Sequence, residues 1–304
     1  MDDPPAGRVA SGPPAGRSRV SDILDLERLG AGLFRGRSGW GSSTRVFGGE
    51  VAGQALMAAG RTVPDQRRVH SLHAYFLRPG DSSEPIDYQV DPIRDGGSFT
   101  TRRTVALQRG EPIFHLSASF HMEEDGYDHQ VPHLDAPPPE DLPPAEVTIA
   151  EADEATRAWF AAGLGNFPFD LRFAEELPRI ATMRGEAGAP AHRFWFRSAE
   201  RLPDTPLLHD CALTYASDIL LLASALPPHR TVIGSPGLQF ASLDHAVWTH
   251  ARFRADDWLF YQQEGAWAGG ARALCRGSLF DRSGRLVASV MQEGLIRPRR
   301  DRAR

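Results

Sequence analysis

Three polar side chains stand in otherwise apolar segments of this chain. Asp218 interrupts the apolar run ASDILLLAS, Gln292 closes the alternating apolar face of GRLVASVMQEG, and Ser242 follows LQFA. A buried carboxylate or amide is costly unless it is paired or hydrogen-bonded. Polar groups placed in this way therefore indicate where chemistry could occur.

Each of the three residues also has a structural explanation. The carboxylate of Asp218 could pair with an arginine or with the backbone. Gln292 could reach solvent at a strand end, and the hydroxyl of Ser242 could bond to the backbone. Taken one at a time, the residues leave both explanations open.

The segments around these residues are the second copy of a repeat. Residues 46–120 and 210–294 each contain an apolar helix, then a β-rich run, then a strand that begins after a glycine. The matched positions in the first and second copy are Gln54 and Asp218, Ser71 and Ser242, and Ala118 and Gln292. Only the second copy combines a carboxylate with an amide, so the site is predicted there.

The two helices of the repeat are predicted over residues 46–60 and 212–223. Both are apolar nearly all round, which requires burial on every side. Early glycines in the first helix lower its helix propensity and favour close approach of backbone or ligand. Alternating and β-branched strands follow each helix, so the predicted fold class is α+β, with antiparallel sheets that wrap buried helices.

Composition shifts along the chain predict five regions. We expect a disordered tail over 1–20, with Ser21 as the N-cap of a short helix. An N-terminal unit over 21–125 and a C-terminal unit over 161–298 flank a Pro- and acid-rich linker with a short helix over 126–160. Residues 299–304 form a frayed basic tail.

The overall composition excludes several classes of function. A net charge of −5 argues against nucleic-acid binding, and the absence of lysine excludes Schiff-base chemistry. Cys211 and Cys275 are predicted to be reduced, without ligand spacing for a metal. No signal peptide or membrane span is predicted, so the protein is expected to be cytoplasmic, without metal or cofactor.

Two other polar patterns are interpreted as structural. His70 and His73 have metal-like spacing, but they lie in a strand without a third ligand nearby. Asp244 and His245 resemble part of a catalytic triad, but adjacent strand residues face opposite sides of a sheet. No GxSxG, GxGxxG or P-loop motif occurs.

Most of the chain resembles the acyl-CoA thioesterase II family, which has a tandem (double) hotdog fold. The matching segments include VFGGEVAGQAL, HSLHAYFLRPGD, GEPIFHLSASF, YASDILLL, SLDHAVWTH and SVMQEGLIR. The resemblance implies two hotdog units, each with a curved antiparallel sheet wrapped round a long helix. It also implies hydrolysis of acyl-CoA to free acid and CoA.

The resemblance assigns the catalytic set to Asp218, Ser242 and Gln292. We expect Asp218 to activate a water molecule that Ser242 and Gln292 hold, without a covalent intermediate. Backbone N–H groups of Gly48 and Gly49 are candidate oxyanion donors. Glu50 departs from the glutamine usual in the family, and it would alter acyl preference if it lines a substrate tunnel.

Two alternatives to hydrolysis are kept open. A double hotdog could bind acyl-CoA without catalysis, or it could dehydrate hydroxyacyl-CoA. The dehydratase chemistry needs a histidine beside an acid, and neither predicted helix contains one. A homo-oligomer, dimer or tetramer, is expected, with acyl-CoA as the small-molecule partner.

Overall fold

The computed structural model describes residues 17–39, 44–131 and 136–298. Most of the predicted disordered tail and the whole predicted C-terminal tail lie outside these ranges. The described end of the N-terminal tail is ordered, because the Arg17 guanidinium contacts Glu146 at 2.7 Å and Asp170 at 3.2 Å. Helix α1 (Val20–Ile23) begins after Arg19. Ser21 is therefore not its N-cap.

The described residues of the first unit form six strands and one long helix. The strands are β1 (Glu27–Gly30), β2 (Leu33–Gly36), β3 (Arg67–Phe76), β4 (Ile86–Asp95), β5 (Phe99–Gln108) and β6 (Glu111–Met122). Helix α2 (Gly48–Gly60) lies between β2 and β3. Alternate residues of β5 and β6 are buried, which is the period expected of strands with one face on a core.

A connecting segment over residues 123–168 leads into the second unit. The helices of these two regions are α3 (Ala145–Ala150), α4 (Glu154–Ala162), α5 (Pro178–Met183) and α6 (Pro206–Ser217). The strands of the second unit are β7 (Phe169–Phe173), β8 (Ala191–Ser198), β9 (Leu238–Ser242), β10 (Asp244–Thr249), β11 (Leu259–Gly269), β12 (Arg272–Phe280) and β13 (Leu286–Pro298).

The two units share one antiparallel sheet. Strand β3 of the first unit pairs with β10 of the second, with Leu72 opposite Val247. The strand order is β1-β2-β4-β5-β6-β3-β10-β13-β12-β11-β8-β7, and β9 pairs with β13. The fold class is the predicted double hotdog, but its two sheets are joined edge to edge into a single sheet.

Helices α2 and α6 pack against each other in opposite directions. Gly49 lies against the carbonyl oxygen of Tyr215, where a Cβ would collide with it, and a Cβ at Gly53 would lie 3.0 Å from the carbonyl oxygen of Cys211. The glycines of α2 therefore allow backbone contact with α6. This contact brings the N-terminus of α2 to the C-terminal end of α6.

The segment from Pro206 to His229 is long and apolar enough to cross a membrane, contrary to the sequence prediction. In the fold, 89% of its most apolar stretch is buried inside the protein. Its apolar character is explained by its place in the core between the helices and the sheet.

Candidate active site

Asp218 lies directly after the last turn of α6. The sequence predicts it inside a helix over 212–223, but the helix ends at Ser217. The hydroxyl of Tyr261 donates to the carbonyl of Ser217 at 2.6 Å, and the amide of Gln263 donates to that of Ile219 at 2.7 Å. Tyr261 thus satisfies the last carbonyl of α6, and Gln263 satisfies a carbonyl of the turn that follows, at a helix end without glycine or proline.

A tight turn follows Asp218. Leu220 has φ of 59°, a left-handed conformation that is unfavourable for a branched side chain. The ring of His192 contacts the Leu220 carbonyl and the Gln263 amide oxygen, each at 3.2 Å. Burial lowers the pKa of His192 to about 4, so the ring is neutral and donates from Nδ1. Strands β8 and β11 thus hold the turn in place.

The carboxylate of Asp218 is held by both units. The backbone N–H of Gly49, at the start of α2, donates to Oδ2 at 2.9 Å. The side-chain amide of Gln292, on β13, donates to Oδ1 at 2.5 Å. A Cβ at Gly48 would lie 2.7 Å from Oδ2, so any larger residue there would displace the carboxylate. Each oxygen is therefore fixed by a donor from a different half of the chain.

Gln292 also contacts His245, which the strand alternation had predicted to be structural. Its Nε2 lies 3.2 Å from Nδ1 of His245, and Nε2 of His245 lies 2.8 Å from the hydroxyl of Ser217. All three side chains are buried. Adjacent strand residues face opposite sides of a sheet, which argued against a triad that contains both Asp244 and His245. The same alternation turns the side chain of His245 toward the protein interior.

Ser242 ends β9, and β10 begins two residues later at Asp244. The break falls at Leu243, and the carboxylate of Asp244 accepts the backbone N–H of Glu293 at 2.6 Å. Asp244 thereby stabilises the irregularity. The irregularity brings Ser242 opposite Gly294, two residues beyond Gln292 on β13.

The serine of the first copy is not placed in the same way. Ser71 lies inside β3, between Ser119 on β6 and Trp248 on β10. Ala118, the match to Gln292, faces Leu72 on β3. The register therefore does not support matching Ser71 with Ser242.

A cleft of about 690 Å³ opens beside Asp218 and Ser242, which both line it. Its apolar lining includes Trp159, Leu164, Leu221, Ile233 and Phe240. Arg45 and Arg78 add positive charge. The cleft is built from both units and from the connecting segment.

The three predicted residues at the start of α2 have different surroundings. Gly48 lines the cleft, whereas Gly49 gives its N–H to Asp218. Glu50 is fully buried, accepts the backbone N–H of Gly39 at 3.1 Å, and does not line the cleft. Glu50 therefore does not form part of the lining of this cleft.

Comparisons with known proteins agree with this architecture. The family model described as acyl-CoA thioesterase matches residues 165–295, and the model of the acyl-CoA thioesterase N-terminal domain matches residues 37–121. The chain belongs to the acyl-CoA thioesterase II family. Both units of the family are thus present, and the second match spans Asp218, Ser242 and Gln292.

Similar members of the family come from animals and bacteria. Acyl-coenzyme A thioesterase 8 of Mus musculus is 38% identical over 91% of this chain and 88% of its own. Acyl-CoA thioesterase 2 of Haemophilus influenzae is 34% identical over 90% of this chain and 96% of its own. The acyl-CoA thioesterase II TesB2 of Mycobacterium marinum, known from a crystal structure, is 45% identical in sequence. The match covers 92% of this chain and 98% of the TesB2 chain, with a TM-score of 0.75.

Proposed function

We propose that this protein hydrolyses acyl-CoA thioesters to free acid and CoA, by direct attack of water on the thioester carbonyl. The observation that carries the proposal is the Asp218 carboxylate, fixed at both oxygens on the wall of a large apolar cleft. A fixed carboxylate beside a binding cleft is suited to general-base catalysis. The family to which the chain belongs supports the same reaction.

In this mechanism Asp218 accepts a proton from the attacking water. The hydroxyl of Ser242, on the same cleft, holds the water in line with the carbonyl. Gln292 has a different role from the one the sequence predicts, because its N–H donors point at Asp218 and His245. We assign Gln292 to positioning the base instead of binding the water.

The oxyanion that forms on the thioester carbonyl needs a donor. Gly49 does not serve, since its N–H is bonded to Asp218. Gly48 lines the cleft at the first position of α2, where a helix leaves backbone N–H groups without intrahelical acceptors. We assign the oxyanion contact to the Gly48 N–H.

The lining of the cleft matches the two parts of the substrate. Apolar side chains such as Leu221 and Phe240 would receive the acyl chain, and burial of each methylene contributes about 0.8 kcal/mol. Arg45 and Arg78 would attract the phosphates of CoA, since the Arg78 side chain is about half exposed.

The chemistry of the site favours hydrolysis over the two alternatives. A binding protein has no need of a carboxylate fixed at both oxygens. A dehydratase needs a histidine that reaches substrate, and His209 of α6 and His245 do not line the cleft. Measurement of free thiol released from acyl-CoA separates hydrolysis from both alternatives.

The experiment that tests the mechanism is Asp218→Asn. The variant keeps the shape of the side chain and removes the base, so kcat for thiol release should fall by about 10²–10⁴-fold. The control is Asp210→Asn on α6, where the carboxylate pairs with Arg68 at 2.9 Å, away from the cleft. If Asp218→Asn turned over acyl-CoA at the wild-type rate, the base would be misassigned.

We also propose that the protein acts in the cytoplasm and forms a homo-oligomer. Cys211 and Cys275 are buried free thiols, as expected in a reducing compartment. Large apolar side chains at exposed positions, including Tyr75 and Trp267, support association. Light scattering of the purified protein gives the oligomeric state directly.

A further inference from the structure

We propose that His245 is a positioning residue for the reaction: it fixes the amide of Gln292, which in turn fixes the carboxylate of Asp218. The inference rests on the proposed role of Asp218 as the base. His245 does not line the cleft, so it acts through Gln292 and not on substrate. The geometry defines the direction of every hydrogen bond in the series.

The first hydrogen bond sets the orientation of the Gln292 amide. Its Nε2 faces Oδ1 of Asp218 at 2.5 Å, and the opposite orientation would place two acceptors together. The amide has a second N–H, which faces Nδ1 of His245 at 3.2 Å. Both donors of Gln292 are therefore used only if Nδ1 of His245 carries a lone pair.

The far side of the ring supplies that condition. The hydroxyl of Ser217 donates to the carbonyl of Thr214 at 2.8 Å, so its oxygen is left to accept from Nε2–H of His245. Burial lowers the pKa of His245, which keeps the ring neutral with its one proton on Nε2. Ser217 thus selects the tautomer that accepts from Gln292.

The amide of Gln292 depends on having an acceptor at the position of His245 Nδ1. Oε1 of Gln292 is buried and has no hydrogen-bond partner among the described residues. The donors alone therefore hold this side chain. If the acceptor at His245 were replaced by a donor, the amide would be pushed to turn, and Asp218 would lose its contact at Oδ1.

Two substitutions of His245 separate this role from a role in packing. In His245→Asn, the side-chain oxygen takes the place of Nδ1 and still accepts from Gln292. In His245→Gln, the longer side chain reaches Ser217 but leaves no acceptor at the Nδ1 position. We expect kcat within about threefold of wild type for His245→Asn. For His245→Gln we expect a loss of about ten- to a hundredfold, with KM nearly unchanged.

The matched control is His250→Asn. His250 also bonds a serine hydroxyl, that of Ser289 at 2.9 Å, but it is exposed and has no contact with Gln292. Its kcat and KM should equal those of wild type. A wild-type kcat for His245→Gln, with Asp218→Asn still inactive, would overturn the positioning role and leave the proposed function intact. Absence of thiol release by the wild type would instead overturn the proposed function.

A second variant keeps the inference testable if substitutions at His245 prevent folding. Ser217→Ala removes the acceptor that sets the tautomer but leaves the ring in place. We expect a lower kcat with an unchanged KM and a native circular dichroism spectrum. An unchanged kcat for Ser217→Ala would contradict the inference.

Discussion

The carboxamide of Gln292 has two N–H donors, and the fold directs each to a different acceptor. One fixes Asp218 and the other contacts His245. An apolar residue stands at the matched position of the first copy, Ala118, so the difference between the copies was visible in the sequence. The partners were not visible, because Gly49 and Gln292 lie far from Asp218 along the chain and meet it only through packing.

Removal of this amide should lower turnover without weakening substrate binding. In Gln292→Ala, Asp218 keeps the N–H of Gly49 but loses its second donor, so we expect kcat to fall by about ten- to a hundredfold. Steady-state kinetics with one acyl-CoA substrate measure the change. Gln239→Ala, at an exposed position on β9, should behave as wild type. A rise in KM without a fall in kcat would count against a role for Gln292 in positioning the base.

At the scale of elements, the site depends on where α6 stops and where β9 breaks from β10. Neither boundary has a glycine or proline to mark it. Tyr261 satisfies the last carbonyl of the helix, Gln263 satisfies a carbonyl of the turn after it, and the strand breaks where Asp244 binds the N–H of Glu293. These are tertiary contacts, and a sequence pattern does not report them. The apolar character of both helices, by contrast, follows from local composition and was predicted correctly.

The turn after α6 should make stability depend on pH. The pKa of His192 is about 4 in the folded protein and near 6.5 when unfolded, so the unfolded state binds more protons between these values. Stability present above pH 6.5 is therefore lost as the pH falls toward 4. From pH 7 to pH 5 the expected contribution is about 2 kcal/mol.

Urea unfolding at these two pH values measures the effect. His192→Asn keeps a donor for Leu220 and cannot titrate, so its free energy of unfolding should fall less on acidification than that of wild type. His129→Asn, in an exposed loop, should retain the wild-type pH dependence. Equal pH dependence in His192→Asn and wild type would show that this ring is not the group responsible.

At the scale of the whole molecule, the cleft needs all three parts of the chain. The first unit supplies Gly48 and Phe76, the second supplies Asp218 and Ser242, and the connecting segment supplies Trp159. The sequence predicts the segment as a linker, yet α4 lies on the cleft. Repetition predicted two similar units, but edge pairing of β3 with β10 depends on register and was not predicted.

Trp159 should limit the length of acyl chain that the cleft accepts. It also lines a small neighbouring cavity of about 30 Å³, together with Leu220, Ala223 and Ile233, so it forms part of the wall between the two spaces. In Trp159→Ala this wall opens, and kcat/KM should rise for longer chains relative to shorter ones. Each newly buried methylene is worth about fourfold.

A series of acyl-CoA substrates of increasing length provides the measurement for Trp159→Ala. Trp267→Ala, at a position where the side chain is about half exposed, serves as the control and should leave the profile unchanged. A profile of Trp159→Ala that is scaled uniformly, without a shift toward longer chains, would mean that Trp159 does not set the limit.

The two donors to Asp218 have a consequence for how the protein folds. Gly49 comes from the first unit and Gln292 from the second, so a molecule in which each unit is folded but not docked does not hold Asp218 at both oxygens. Five of the six tryptophans lie at or after Trp159, so intrinsic fluorescence follows mainly the later part of the chain. During refolding from denaturant, activity can be followed by thiol release and folding by tryptophan fluorescence. If activity returns later than fluorescence, the delay measures the time that the units take to dock. The rate at which activity appears during refolding therefore reports how fast the two units of one chain assemble.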